Sequence, residues 1–264
     1  MTTLLMTEQL TLQVANTFIC QALNLTVKAG EIWGIIGLNG SGKTTLLHTL
    51  AGLIRPFQGK IYLGEKNLNA LTAKEIARSI GILFQDTSYF FPQAVFDFCM
   101  NGRYPHVNYF RQASDDDKKI ALTALALVEL EKKLLQNIQT LSGGERRRLA
   151  IATLLTQTPQ LYLLDEPTNH LDLHHQIKLL DHFKQLAEKN PVSILMALHD
   201  VHIAHHYCTH ILMLFADREC LFGETPSMLN TTNLSRLYQR DFQKLSHKLF
   251  SYSFNGMKRD MMQD

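Results

Sequence analysis

Apolar residues occur along this chain in short uninterrupted runs, and stretches with helical spacing separate them. The strand-length runs are Ile32–Ile36, Lys60–Leu63, Ile80–Phe84, Leu161–Leu164 and Ile194–Leu198. Helical spacing is found after Lys43 and around Asp115–Lys133, Gly144–Thr156 and His174–Lys189. Apolar strands that do not alternate with polar residues and are joined by helices predict a mostly parallel sheet covered on both faces. We therefore expect an α/β fold.

The stretch from about Asp86 to Gln139 follows a different pattern. It has proline turn signals at Phe91-Pro92 and Tyr104-Pro105, an acidic helix start at Ser114–Asp117 and then an amphipathic helix, without a strand pattern. This predicts a helical subdomain inserted into the α/β core. The expected division is a core over about 1–85 and 158–240, a helical subdomain over about 86–157, and a C-terminal tail with a short helix over 241–264.

Length and charge limit the classes of protein to which the chain can belong. Its 264 residues suffice for one large α/β domain or for a core with a subdomain, and 45% of them are apolar. The net charge is +2, from 26 basic and 24 acidic residues, so nothing indicates nucleic-acid binding. One helical turn, Arg146–Arg148, is basic. We expect it to be a solvated or partner-facing surface rather than a DNA site.

The cysteines and the N-terminus indicate the compartment. Cys20, Cys99, Cys208 and Cys220 show no CxxC pairing and fit structural thiols in a reducing compartment. Met1–Met6 has neither a basic start nor a sustained apolar run, so it does not resemble a secretory signal. No segment approaches the roughly 18 apolar residues that a membrane helix needs. We expect a soluble, cytoplasmic protein, and a role at a membrane would need another chain to supply the span.

A glycine-rich loop follows the first long apolar run and opens a helix. Its sequence is Gly37-Leu38-Asn39-Gly40-Ser41-Gly42-Lys43-Thr44-Thr45. The glycines let the backbone turn tightly and aim its N–H groups at phosphate oxygens, and the positive end of the helix faces the same anion. In the general P-loop template Lys43 neutralises the β- and γ-phosphates, Thr44 offers a hydroxyl to Mg²⁺, and Thr45 contacts the α-phosphate. A chance glycine-rich turn would lack the flanking strand and helix, so we expect a bound nucleotide.

Two acids close the apolar run Leu161–Leu164. Asp165 is expected at the carboxyl end of a buried strand, where ligands meet open α/β sheets, and to hold Mg²⁺ through water. Glu166 follows it and is the candidate general base for the water that attacks the γ-phosphate. A solvent-facing acid pair is the alternative, and it would be favoured if the P-loop were absent.

The pentapeptide Leu141-Ser142-Gly143-Gly144-Glu145 lies between the P-loop and the two acids. Ser142 can cap the helix that follows, and Gly143 and Gly144 expose its first N–H groups. This arrangement predicts a second anion site in a chain that already has one. An ordinary capped helix is the alternative.

The three motifs, in this order and spacing, resemble those of the ATP-binding cassette (ABC) ATPase family, over about residues 8–240. The resemblance implies a P-loop NTPase (RecA-like) core with a mostly parallel sheet, an antiparallel β portion near the N-terminus and an inserted α-helical subdomain. It also implies ATP hydrolysis with Mg²⁺ in a head-to-tail homodimer. Each ATP would lie between the P-loop of one chain and the Ser142–Gly144 loop of the other.

The same resemblance implies roles for four further residues. Gln85, after the run Ile80–Phe84, matches the glutamine that senses Mg²⁺ or water and links the site to a permease. His199 matches the switch histidine at the γ-phosphate, and Asp172 matches a residue that couples the two sites, with a solvated helix cap as its alternative. The aromatic residue that usually stacks on adenine is missing near Val14. Phe18 is the candidate instead, with a plain core phenylalanine as the alternative.

The segment Gly102-Arg103-Tyr104-Pro105-His106 resembles the ATPases of importers for iron–siderophore, haem and vitamin B12. This implies a homodimer under two permease subunits at the cytoplasmic face of the cell membrane, with a substrate-binding protein on the other side. Residues from about Gln85 to Phe110 would form the cleft that receives a permease helix. A surface loop with a proline turn is the alternative for Gly102–His106.

Other functions remain to be weighed. An ABC ATPase acting on DNA or ribosomes would carry long coiled coils or a second cassette, and a regulatory nucleotide binder would lack Glu166 or Lys43. Gly102–His106 argues against an exporter, while an importer for another small anion or metal complex stays open. Histidines at helical spacing could form a metal face, although no cysteine or acid completes the set. They are His199, His202, His206 and His210.

Overall fold

A computed structural model describes residues 2–85, 91–107 and 113–240. The strands are β1 (Thr3–Val14), β2 (Thr17–Leu23), β3 (Thr26–Lys28), β4 (Ile32–Gly37), β5 (Gln58–Leu63), β6 (Lys66–Asn67), β7 (Ile80–Leu83), β8 (Leu161–Asp165), β9 (Ser193–Leu198), β10 (His210–Leu214) and β11 (Cys220–Glu224). The helices are α1 (Lys43–Leu50), α2 (Ala73–Ser79), α3 (Val95–Met100), α4 (Asp115–Leu127), α5 (Gly143–Gln157), α6 (Leu173–Lys189), α7 (Val201–Tyr207), α8 (Thr225–Met228) and α9 (Thr231–Tyr238). Short 3₁₀ turns lie at Leu68–Ala70, Asn101–Arg103, Glu131–Lys133 and Ile138–Thr140.

The larger sheet is the predicted parallel one. Its strand order is β11-β10-β4-β9-β8-β7, and only the β10–β11 pair is antiparallel. Every residue of β4, β8 and β9 is buried, as expected for parallel strands covered on both faces. The expected α/β fold is thereby confirmed.

Successive residues of the central strands pack into two separate apolar cores. In β9, Ile194, Met196 and Leu198 join one core, and Leu195 and Ala197 join the other. The first core also contains residues of α4, α5 and α6, while the second contains residues of α1 and of the N-terminal strands. This follows from the two-residue period of a strand, which sends neighbouring side chains to opposite faces.

A second, antiparallel sheet forms the N-terminal part of the fold, with the order β2-β1-β5-β6 and β3 paired to β1. The apolar runs did not predict β1 to β3 individually. Along β1 the pairing register shifts at several points. One shift lies between Glu8 and Thr11, where Gln9 has a positive φ of 48°, and another lies between Leu10 and Leu12. These bulges interrupt the regular alternation by which a half-buried strand is recognised.

The inserted stretch is helical where it is described. Helices α3, α4 and α5 pack together. The strand-type backbone pairing in this described stretch is an isolated antiparallel bridge between Ala94 and Asn137. Ser114 and Ser142 begin α4 and α5 with reciprocal capping boxes. The bounds of a separate subdomain stay a prediction, and the predicted tail lies outside the described residues.

The parallel strands bring the candidate site residues to one edge of the sheet. The P-loop follows β4, Gln85 follows β7, Glu166 follows β8 and His199 follows β9. Neighbouring parallel strands end at the same edge, so these distant segments become neighbours. None of the helices in the described ranges has both the length and the apolar character that crossing a membrane requires.

Candidate nucleotide-binding site

The P-loop turns through two glycines with left-handed backbone. Gly40 has a φ of 77° and Gly42 a φ of 96°, and α1 begins at the next residue. A Cβ atom on Gly42 would lie 2.3 Å from Cγ2 of Ile19, so a side chain there would collide with β2. The loop therefore needs glycine at this point both for its conformation and for the close approach of β2.

Lys43 lies inside the loop rather than in solvent. Its ammonium donates to the carbonyl oxygens of Gly37 (2.9 Å) and Leu38 (3.2 Å), and the side chain is buried. Burial lowers the pKa of Lys43, and the carboxylates of Glu166 and Asp165 oppose that change. A buried cation in a loop of backbone N–H groups can bind an oxyanion.

Asp165 is completely buried at the end of β8. Burial raises the pKa of its carboxyl group, and the hydroxyl of Thr44 is the largest influence in the opposite direction. Within the described residues, neither carboxylate oxygen has a hydrogen-bond partner of regular geometry. A buried carboxylate without such a donor, close to a threonine hydroxyl, is the oxygen-rich donor set that Mg²⁺ prefers. The residues present therefore fit this metal ion.

Glu166 occupies the centre of the site and has an unusual backbone. Its φ is 48°, in the left-handed region that non-glycine residues seldom adopt. The carboxylate lies 2.5 Å from Nε2 of His199, accepts from Nε2 of Gln85 at 3.2 Å and accepts from Nδ2 of Asn169. The structure thus brings together Glu166, Gln85 and His199. Asn169 was not predicted as a site residue, although its position three residues after Glu166 could have indicated a turn contact with the Glu166 carboxylate.

These groups line one open cavity of about 520 Å³. The lining comprises Asn39, Gly40, Gly42, Lys43, Thr44 and Thr45 of the P-loop, then Gln85, Glu166 and His199, and finally Val14, Thr17 and Ile19 from β1 and β2. Gly37 and Ser41 belong to the same loop without lining the cavity. The cavity therefore combines a phosphate-binding loop, a general-base candidate and an apolar wall.

Phe18 does not line this cavity. Its ring packs edge to face against Phe57, with 5.7 Å between ring centroids. Neighbours in a strand point to opposite faces, so Thr17 and Ile19 face the cavity while Phe18 faces away from it. The adenine contact predicted for Phe18 gains no support and stays a prediction.

The Ser142–Gly144 loop and Asp172 lie outside the cavity. Ser142 Oγ accepts from the backbone N–H of Glu145 at 3.3 Å, and the Glu145 carboxylate accepts from that of Ser142 at 2.9 Å. A Cβ atom on Gly143 would meet nothing within 4 Å. Asp172 caps α6 by accepting from the backbone N–H of His175 at 2.9 Å. Ser142 and Asp172 are thus helix caps within this chain. The roles predicted across a dimer for the Ser142–Gly144 loop and for Asp172 stay predictions.

Arg147 corrects the expectation that Arg146–Arg148 forms a surface. Only 3% of Arg147 is exposed, and its guanidinium donates to carbonyl oxygens at the ends of β7 and β8. Arg148 instead donates to the carbonyl of Val128 at 2.8 Å. Consecutive residues of a helix point in different directions, so one basic turn is not one surface. The spacing of Arg147 with Ile151 and Leu154, at i, i+4 and i+7, could have indicated that it is buried.

The Gly102–His106 segment is only partly a surface loop. Arg103 is buried and donates to the Thr156 carbonyl and the Thr158 hydroxyl, each at 3.0 Å, while His106 Nε2 lies 2.9 Å from the Gln157 carbonyl. These contacts satisfy carbonyl groups at the C-terminal end of α5. Tyr104, in contrast, is exposed.

The histidines at helical spacing do not form a metal face. His199 contacts Glu166, and His210 stacks on Trp33 with 4.6 Å between ring centroids. His202 and His206 are exposed on α7. Across residues 2–85, 91–107 and 113–240, no group of three or more histidine, cysteine or acidic side chains is arranged to hold a metal ion.

Comparison with known families matches residues 20–169 to the ABC transporter family. YusV of Bacillus subtilis (strain 168), named a probable siderophore transport system ATP-binding protein, is 36% identical over 244 residues, which cover 92% of this chain and 89% of YusV. FepC of Escherichia coli (strain K12), the ferric enterobactin transport ATP-binding protein, is 33% identical over 231 residues, covering 88% and 85%. Among solved structures, the dimeric post-hydrolysis state of the ATP-binding cassette MJ0796 bound to ADP and Pi gives a TM-score of 0.72 at 27% identity, covering 84% of this chain and 98% of that one.

Proposed function

Since the chain belongs to the ABC transporter family, we propose that it binds and hydrolyses ATP to drive the uptake of an iron complex (siderophore or haem) or of cobalamin. One observation supports the catalytic part of this proposal. Lys43 of the P-loop, Glu166 at the end of β8, and the side chains of Gln85 and His199 converge on one cavity from four distant segments.

Hydrolysis requires a water molecule to be activated beside the γ-phosphate. The water oxygen attacks the γ-phosphorus, the bond to the β,γ-bridging oxygen breaks, and Glu166 accepts the proton that the water loses. His199 and Gln85 orient this carboxylate before ATP binds, and both line the cavity in which we place the γ-phosphate and the water. Lys43 and the backbone N–H groups of the P-loop hold the phosphates.

Thr44, Asp165 and Gln85 are the residues that we propose for Mg²⁺. The buried carboxylate of Asp165 supports this assignment, since it has no hydrogen-bond partner of regular geometry among the described residues. Bound there, the ion would offset the negative charge of the β- and γ-phosphates.

The second anion site predicted at Ser142–Gly144 is the basis of the proposed dimer. Ser142 caps α5, Gly143 and Gly144 are its first residues, and all three lie outside the cavity. A Cβ atom on Gly143 would meet nothing within 4 Å. We propose that this loop contacts the ATP of a second copy of the chain, and that Asp172 lies at the same interface. Two ATP molecules would then hold the dimer closed, and hydrolysis would reopen it.

Exposed aromatic side chains between residues 84 and 104 support a permease contact. Phe84, Phe91 and Tyr104 are exposed, Phe91 by 82%, and exposed large apolar side chains often mark partner surfaces. We propose that residues 85–110 form the cleft that receives a permease helix, and that the homodimer binds under two permease subunits, which would bring the chain to the cytoplasmic face of the membrane. Residues 86–90 and 108–110 of this cleft lie outside the described part of the chain. We retain the proposed division into a core, a helical subdomain over 86–157 and a tail.

The substrate class rests on similarity. YusV and FepC carry names that refer to siderophore and ferric enterobactin transport, and the Gly102–His106 segment supports the same class. A substrate-binding protein on the far side of the membrane would complete the importer. A cassette does not touch the transported molecule, so the choice between iron complexes and cobalamin needs that protein.

The substitution Glu166→Gln tests the catalytic part. We expect phosphate release to fall by at least about 100-fold, since general-base catalysis contributes this much, while ATP still binds and a dimer accumulates on size-exclusion chromatography. Lys43→Ala should instead weaken ATP binding at least about tenfold. Wild-type turnover by the Glu166 variant would overturn the assignment of the base.

Purification of the tagged chain from native membranes in mild detergent tests the transport part. We expect a multi-spanning permease in equal amount, and its cognate binding protein can then be titrated with siderophores, haem and cobalamin. Recovery with ribosomes or DNA alone would overturn the transport proposal and leave the ATPase assignment standing.

A further inference from the structure

The guanidinium of Arg147 is bound on two sides by main-chain carbonyl groups. One nitrogen, Nη1, donates to Phe84 O at 2.5 Å and to Gln85 O at 3.2 Å. The other, Nη2, donates to Asp165 O at 2.8 Å and to Glu166 O at 2.6 Å. The planar, forked geometry of arginine allows this, because its donors point in fixed directions.

These carbonyl groups lie at or just beyond the carboxyl ends of two adjacent strands. Strands β7 and β8 are parallel neighbours, and their pairing ends at Leu83 and Leu164. Beyond that point the ladder no longer holds the two backbones together, and Arg147 bridges them instead. The residues so held are those whose side chains, Gln85 and Glu166, meet at 3.2 Å in the cavity.

The backbone of Glu166 needs such support. A non-glycine residue with a φ of 48° is in a region that costs about 1–2 kcal/mol, and such conformations persist when the surroundings hold them. Arg147 donates to the carbonyl of Glu166 itself and to that of the preceding residue. Its hydrogen bonds therefore constrain the dihedral angles that aim the Glu166 carboxylate into the cavity.

We propose that Arg147 is a positioning residue for ATP hydrolysis, which holds the backbones of Gln85 and Glu166 in register so that the Glu166 carboxylate faces the γ-phosphate. Arg147 does not line the cavity, so the proposed role needs no contact with the nucleotide. The inference rests on the proposed function. If the wild-type chain hydrolyses no ATP, the proposed function fails, and if wild type is active while Arg147 variants keep its turnover, only this inference fails.

The first test compares Arg147→Lys and Arg147→Gln with wild type in ATP hydrolysis and in binding of a fluorescent ATP analogue. We expect kcat to fall about 10- to 100-fold, as for a misplacement of about 1 Å, with the dissociation constant changed by less than about threefold. Lysine can restore a charge and part of the hydrogen bonding, so it should retain more activity than glutamine. Equal kcat in all three proteins would overturn the proposal.

Arg103→Lys is the matched control. Arg103 is also a buried arginine bound to a carbonyl group of α5, at the end of that helix remote from Glu166. We expect this variant to lose stability and to keep the kcat of its folded fraction. If both lysine variants lose kcat in proportion to their stability, Arg147 is merely structural.

A double-mutant cycle keeps the proposal testable even where single variants fold poorly. In a Glu166→Ala background, adding Arg147→Lys should cause no further loss of residual turnover, because the group that it positions is gone. A structural role predicts the same fold-loss in both backgrounds, and that result would contradict the assignment.

Discussion

Arg103 donates from Nε to Oδ1 of Asp117 across 2.7 Å, and the two side chains are only 10% and 15% exposed. Asp117 lies in the first turn of α4, while Arg103 also binds carbonyl and hydroxyl oxygens at the end of α5. The pair therefore fastens the start of one helix to the end of another. The Gly102–His106 segment, whose resemblance indicated the transporter class, thus also has a structural function.

Removing this arginine should destabilise the chain strongly. We expect Arg103→Met to lower the free energy of unfolding by about 3 kcal/mol, because Asp117 would keep a shielded charge without its partner. Urea denaturation measures the difference. Lys118→Met is the matched control, since Lys118 pairs with Asp115 at the surface of the same helix, and such pairs contribute about 1 kcal/mol or less. Equal losses in the two variants would contradict the argument.

The caps of α4 and α5 should make stability depend on acid pH. Hydrogen bonding from Ser114, with help from Arg103, lowers the pKa of Asp117 from 3.8 to about 2. The hydrogen bond from Lys133, with help from Ser142, lowers the pKa of Glu145 from 4.5 to about 2. Both values are depressed in the folded state, so the stabilisation is present above pH 4.5 and is lost as the pH falls toward 2.

The double variant Asp117→Asn, Glu145→Gln tests this dependence. Its free energy of unfolding, measured by denaturant titration at a series of pH values, should change less between pH 4.5 and 2 than that of wild type. An unchanged pH profile would show that other carboxylates carry the effect.

Asp165 should reduce the stability of the nucleotide-free chain. Burial raises the pKa of this carboxyl group. The folded state is therefore destabilised once the pH rises above the ordinary pKa of an aspartate, because the unfolded chain then loses the proton more readily. We expect Asp165→Asn to raise the free energy of unfolding without nucleotide by about 1–3 kcal/mol, while Mg²⁺-dependent hydrolysis is lost. Thermal unfolding and phosphate release measure the two effects, and a lower melting temperature of the variant would show that the buried carboxylate does not destabilise the fold.

Two glycines of the helical region should separate folding from function. A Cβ atom on Gly102 would lie 2.3 Å from the Thr153 carbonyl oxygen, whereas one on Gly143 would meet nothing within 4 Å. Gly102→Ala should therefore lower the free energy of unfolding by about 1–3 kcal/mol. Gly143→Ala should leave it within about 0.5 kcal/mol and reduce ATP hydrolysis about tenfold or more by obstructing the partner's phosphate. Full activity of Gly143→Ala would argue against contact with a second nucleotide.

The sequence by itself determined the parallel sheet and the residues that its strands carry to the ligand. Uninterrupted apolar runs such as Ile194–Leu198 occur where both faces of a strand are buried, and this is a local property that the order of residues reveals. The positions of Lys43, Glu166 and His199 followed, because each stands next to such a run and parallel strands end at one edge.

The tertiary structure alone decided which neighbours these residues meet. Arg147 is buried because the ends of two strands that are distant in sequence and adjacent in the sheet offer it carbonyl groups. Phe18 turns from the cavity because of the face on which β2 packs. Composition and periodicity describe how a segment is buried, and they do not specify what lies across from it. The family resemblance implied the antiparallel sheet, but the apolar pattern did not reveal its strands β1 to β3, since bulges in β1 interrupt the alternation that identifies a strand.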